Sequence, residues 1–117
     1  MNYTWKLSGL KKTSNQNLSN VVIQTYWTKT GIDENGNEGF FQGATPFDLS
    51  SVDPNNFIQY ENLTEEIVLE WVKSIVVGSY EEHVNEQIQK QINDKINQIV
   101  EVKTDELPWS SVGIGTT

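Results

Sequence analysis

The sequence predicts an α+β domain: an amino-terminal antiparallel β-meander of three to four strands, two α-helices packed on one face of it, and an extended carboxy-terminal tail. Three observations predict it. Residues 2–45 alternate polar and apolar side chains around a hairpin signal. Residues 64–98 repeat apolar side chains at helical spacing behind capping residues. The chain then ends in a Gly/Ser/Thr-rich stretch without either period. The domain is expected to span residues 1–103 and the tail residues 104–117.

The first strand runs from Asn2 to Leu10, with Tyr3, Trp5 and Leu7 on one side and Thr4, Lys6 and Ser8 on the other. Lys11 to Asn20 is polar and reads as a loop. The second strand, Val21 to Thr30, places Val21, Ile23 and Trp27 on one face and Val22, Tyr26, Thr28 and Thr30 on the other. Asn35-Gly36 then signals a two-residue turn, because that turn type needs positive φ at both central residues. Strand three follows from about Glu38 to Thr45. With Asn35 and Gly36 as the turn, Trp27 lies opposite Ala44, Thr30 opposite Phe41 and Gly31 opposite Phe40. Phe40 then joins the Trp27 face, and Phe41 joins Tyr26 on the second face. A sheet with one packed face leaves its other face polar, so Tyr26 and Phe41 there point to a partner surface. A covering loop explains them equally well.

Gly43 and Pro46 close the sheet, since one weakens a strand interior and the other lacks a donor. Asp53-Pro54-Asn55 reads as a turn. Phe57 to Tyr60 is a short edge strand or an anchor beneath the helices.

Thr64 caps the first helix, Glu65 and Glu66 complement its positive end, and Leu63 with Val68 makes a hydrophobic staple. Its apolar face centres on Ile67, Trp71 and Ile75, flanked by Val68, Val72 and Val76. Gly78 stops this helix, and Ser79 with Glu82 forms a capping box for the next. Helix two covers about Tyr80 to Gln98. Tyr80, Val84, Ile88, Ile92 and Ile96 recur every four residues, a step that drifts by about 40° each time around a 3.6-residue helix. The amino-terminal half of that line packs on the domain, leaving Ile92, Ile96 and Ile99 for a sister subunit; packing of the whole line within one chain fits the same spacing. Trp109 is an aromatic anchor in the tail.

Composition narrows the chemistry. The chain has 117 residues, no cysteine, no arginine and a net charge of -8. Disulfides and thiolate chemistry are excluded, and phosphate backbones and anionic membrane surfaces are disfavoured because both are held by Lys and Arg. No stretch reaches the length of a membrane span and no export signal opens the chain, so it is expected to stay in the compartment where it is made. The single histidine, His83, stands between Glu82 and Glu86 and reads as solvated. Asp33-x-Asn35-x-Asn37 copies the opening of a calcium loop, but Glu38 stands where glycine is needed and Ala44 where a bidentate Glu is needed. No catalytic residue, cofactor site or metal site is expected, and the chain reads as an interaction domain.

The order of several motifs adds to this. Tyr3-Thr4-Trp5, the run Asp33 to Gly39, Gly43 to Phe47, Leu63 to Val72 and Leu107-Pro108-Trp109 together resemble a family of small proteins of tailed bacteriophages, notably T4-like cyanophages and other marine phages. The resemblance implies phage origin, a β-then-α domain and a place among virion or accessory proteins. The expected function is that of a non-enzymatic virion component, such as a head-decorating, neck or tail protein, binding other virion proteins. The alternative is an intracellular phage accessory protein that binds and modulates a host protein. The chain is then found in the virion or the host cytoplasm, with Tyr26, Phe41, Ile92, Ile96, Ile99 and Trp109 as its docking residues.

Overall fold

The computed structural model describes residues 1–15, 17–49, 57–98 and 100–110. Strands β1 (Asn2–Thr13), β2 (Val21–Ile32) and β3 (Glu38–Pro46) form an antiparallel sheet in the order β1-β2-β3. Helices α1 (Glu65–Ile75) and α2 (Ser79–Ile96) pack on its Trp27 face. The α+β architecture is as the alternation and the helical spacing predict. Phe57 to Tyr60 makes no strand: a 3-10 turn at Tyr60–Asn62 leads into α1. The turn expected at Asp53-Pro54-Asn55 lies outside the described residues.

β1 is longer than its alternation suggests. It runs through Lys11 and Lys12 to Thr13, and two register shifts, between Leu7 and Gly9 and between Lys11 and Lys12, let it stay paired to β2 while its side-chain pattern breaks.

The hairpin differs from expectation by one residue. Asp33 N–H donates to Asn37 O at 3.0 Å and Gly36 N–H to Asp33 O at 3.2 Å, so the loop holds three residues, with Gly36 at φ 83°. This is the loop in which a turn is followed by a left-handed glycine. The Asp33 carboxylate selects it by accepting from the backbone N–H of Asn35 (2.9 Å) and Asn37 (2.8 Å) and from the Asn37 side-chain amide (3.0 Å). Those bonds, the Asn37 amide first, hold its pKa below the ordinary 3.8. One added loop residue reverses the faces of β3. Trp27 pairs with Gly43, Lys29 with Phe41 and Thr30 with Phe40. Phe41 therefore belongs to the helix face and Phe40 to the opposite one.

The sheet ends at Pro46 as expected, paired with Gln24, and within β3 stands Gly43. Its role is room: the Trp27 indole lies across it, and a Cβ there would come within 2.5 Å of Trp27 Cε2. Trp27 is fully buried, and its Nε1 donates to Thr45 Oγ1 at 2.9 Å while Thr25 Oγ1 donates to Thr45 O at 3.0 Å. The polar groups beneath the helices are thus satisfied within the sheet.

In α1 the Thr64 cap forms, accepting from Ile67 N–H at 3.2 Å. Its buried residues are Val68, Leu69 and Val72, with Val76 just beyond. The buried stripe is thus offset from the expected Ile67-Trp71-Ile75 line, and Ile75 is exposed. Gly78 does more than stop α1. At φ 62° it is the N-cap of α2, its carbonyl accepting from Glu82 N–H, and the expected Ser79 cap makes no side-chain bond.

Helix α2 lies on β3, and Val84, Ile88 and Ile92 are all fully buried. Gly31 and Gly39 pair directly across β2 and β3, and Ile88 seats on them. A Cβ on Gly31 would meet Ile88 Cγ2 at 2.7 Å, and one on Gly39 would strike the Ile88 carbonyl. With two glycines side by side the helix backbone reaches the sheet, so the drift of the apolar line is absorbed and Ile92 stays inside.

Two outcomes follow. Gly39→Ala is expected to lower stability by about 1–3 kcal/mol in urea unfolding, because the obstacle is backbone and cannot rotate away. The stability advantage of the native chain over Asp33→Ala should hold above the ordinary aspartate pKa and vanish as pH falls through the depressed folded value, measured by thermal melts across acid pH.

Candidate interaction surface

The expected docking residues separate into three groups. Phe41 and Ile92 belong to the interior. Phe41 is half-buried, its ring 5.7 Å from Trp27 and edge-on to His83 at 5.8 Å, and Ile92 has no exposed surface. Both assignments as docking residues are corrected, the first by the longer hairpin loop and the second by the glycine seat. Ile99 lies outside the described residues. Tyr26, Ile96 and Trp109 remain at the surface.

Tyr26 is half-buried on the outer face of the sheet, leaning over Gly9 with Lys11 Nζ 5.9 Å from its ring. Along that face the β2 side chains are Tyr26, Thr28 and Thr30, and Phe40 stands beside Thr30 at 51% exposure. The two rings lie about 13 Å apart at strand spacing, with Thr28 and Gln42 between them. Both helices pack on the opposite face, so a flat surface of threonines with an aromatic near each end is left uncovered by them. Phe40 escapes the sequence reading only because of the register; a three-residue loop ending at Gly36 would have assigned it correctly.

The second surface lies beyond α2. Ile96 is 54% exposed, Val100 73%, Val102 48% and Trp109 67%. A 3-10 turn at Thr104–Glu106 and Ser110 Oγ, which donates to the Asp105 and Leu107 carbonyls, give the segment local form. The molecule measures 85 × 29 × 25 Å, about twice along its long axis what a twelve-residue strand spans. The segment after α2 projects as an arm with apolar side chains in solvent. Val100 and Val102 alternate with Glu101 and Lys103, a pattern visible in the sequence.

The two sheet edges are finished differently. On β3, the Gln91 side chain forks onto one peptide position: its Oε1 accepts from Phe40 N–H and its Nε2 donates to Phe40 O, both at 2.8 Å. Lys95 Nζ donates to the Glu38 carbonyl nearby. On β1, Leu7 N–H donates to Glu65 Oε2 at 3.1 Å. Leu7 therefore points its peptide groups away from β2, and by alternation so do Trp5 and Tyr3.

A buried cation lies on the packed face. Lys29 is 3% exposed, and its Nζ donates to Asn85 Oδ1 at 2.7 Å over the rings of Tyr3 (4.3 Å) and Trp5 (4.9 Å). Burial pulls its pKa below the ordinary lysine value, with Glu81 opposing that shift and Lys73 adding to it. The sequence signal for it was parity: Lys29 shares odd numbering with Trp27. Among the described residues, no group of three or more His, Asp or Glu side chains is placed to share a metal ion.

The model of a domain family of unknown function, DUF7936, matches residues 1–109. No curated protein and no solved structure matches the chain.

Because Lys29 is less easily protonated in the folded chain than in the unfolded one, the unfolded state binds more protons as pH approaches 10.5. The native chain should therefore gain stability relative to Lys29→Met across that window, as measured by urea unfolding at stepped alkaline pH.

Proposed function

We propose, for a chain that belongs to the DUF7936 family, a non-enzymatic role carried by protein–protein contacts, as a virion component of a tailed phage. The observation that carries the contact role is the placement of large apolar side chains on two surfaces the helices leave open: Phe40 on the outer face of the sheet and Trp109 on the arm. Aromatic side chains set on a flat surface bury much area on docking at little cost in side-chain ordering. Tyr26 extends the first surface and Val102 the second. A net charge of -8 and the absence of arginine turn the chain towards protein partners and away from nucleic acid.

The phage setting rests on the resemblance carried by the order of motifs from Tyr3-Thr4-Trp5 to Leu107-Pro108-Trp109. In that setting the outer face meets another virion protein, in a head, neck or tail position.

Gradient-purified particles of the phage that encodes the chain should contain it in fixed stoichiometry by mass spectrometry, and its absence from them removes the virion role in favour of a host-protein partner. Phe40→Asp should reduce incorporation about tenfold or more while leaving the thermal melt of the purified protein nearly unchanged, since that ring is half in water already.

A further inference from the structure

We infer that the outer edge of β1 receives the carboxy-terminal arm of a second copy of this chain as an added, parallel strand. The surface is distinct from the outer face of the sheet, and the inference stands apart from any place in a particle.

The edge is open where it matters. Tyr3 and Trp5 present their N–H and C=O groups away from β2, and among the described residues only the neighbouring Leu7 N–H is taken, by Glu65. Unpaired peptide groups along a strand edge recruit another extended segment, whose main chain supplies affinity while its alternate side chains supply fit. The other edge strand, β3, has its Phe40 and Glu38 positions occupied by Gln91 and Lys95.

The arm has the matching form. From Val100 to Lys103 it alternates two exposed valines with two charged residues, as a strand with one apolar side does. It projects from its own body, so the body it meets is another one. It also lies within the segment matched by the family model, which runs to residue 109, and so belongs to the shared unit.

Charge favours the pairing. Strand β1 carries Lys6, Lys11 and Lys12 and no carboxylate, while the arm carries Glu101, Asp105 and Glu106 against Lys103 alone. An otherwise acidic chain therefore offers its own arm one basic edge.

Length fits as well. Beyond Leu7 the β1 edge opens into a hollow of about 230 Å³ lined by Leu10, Tyr60, Leu63 and Val68, with Lys12 Nζ 4.1 Å from the Tyr60 ring. Tyr3 and Leu10 are about 23 Å apart along the strand. With Val100 beside Tyr3, four extended steps, the 3-10 turn and the helical turn at Pro108 to Ser110 carry the arm about 22 Å to Trp109, which arrives at that hollow. Exchange of arms between two copies is reciprocal and closes at a dimer.

Light scattering during size-exclusion chromatography of the full chain at tens of micromolar should give twice the chain mass, with dissociation strengthened by salt. Val102→Asp on the arm and Tyr3→Pro on the edge should each weaken the dimer about tenfold or more. Both sit at exposed positions, and the proline replaces an N–H that points away from the ladder, so circular dichroism melts should show both variants folded. Mixing the two variants should restore a heterodimer, since one supplies an intact edge and the other an intact arm. A full chain that stays monomeric at 100 μM overturns the inference, as does a dimer that both variants leave intact or a mixture that stays monomeric.

Discussion

The contact on which the rest of the structure depends is the seating of Ile88 on the paired glycines Gly31 and Gly39. A helix normally rides on a sheet at a distance set by the side chains between them. Here the sheet contributes no side chain at the two glycines, and the α2 backbone descends to β3. That descent buries Val84, Ile88 and Ile92 together and brings Gln91 and Lys95 level with the β3 edge, where each finds a peptide partner. A helix held one side-chain layer higher would leave Ile92 at the margin and the edge bare. A four-residue apolar repeat, unpromising as a packing line, becomes sufficient because the helix sits so close.

A second set of constraints radiates from Trp27. Its ring is held by Thr45, covers Gly43 and touches Trp5 and Phe41, at centroid distances of 5.1 and 5.7 Å. One large ring thus spans all three strands and takes the place of several smaller core residues. It is surrounded by glycine and threonine, which leave room and satisfy its N–H. Lys29, two residues along on the same face, lies between aromatic rings and an asparagine instead of among aliphatics. A charge can be tolerated there because ring faces and an amide oxygen replace part of the water it loses.

Much of this was legible in the residues. Alternation located the strands, the Trp27 side of β2 was identified as the inner face, and Thr64 with Gly78 marked the start of α1 and the corner between the helices. What failed did so for identifiable reasons. Asn35-Gly36 promises a two-residue turn, but Asp33 can accept three hydrogen bonds and stabilises the longer loop, and that single residue exchanged the faces of Phe40 and Phe41. A four-residue apolar step drifts around a helix that stands off a flat sheet, which turns Ile92 outward. The glycine pair that changes this lies on two different strands, and their alignment is visible only once the register is known. Of the docking residues, Tyr26, Ile96 and Trp109 were found at the surface, while Phe40 was missed through the register alone. The β1 edge has no local sequence mark, since which peptide groups face outward follows from pairing, not from side chains.

The four tryptophans sit at graded depths. Trp27 is sealed, Trp5 and Trp71 are half-buried, and Trp109 stands on the arm at 67% exposure. Indole emission shifts with the wetness of its surroundings, so one end of this molecule shines blue and the other red. The domain thereby carries its own optical gauge, in which loss of the interior and drying of the arm move the spectrum in opposite directions.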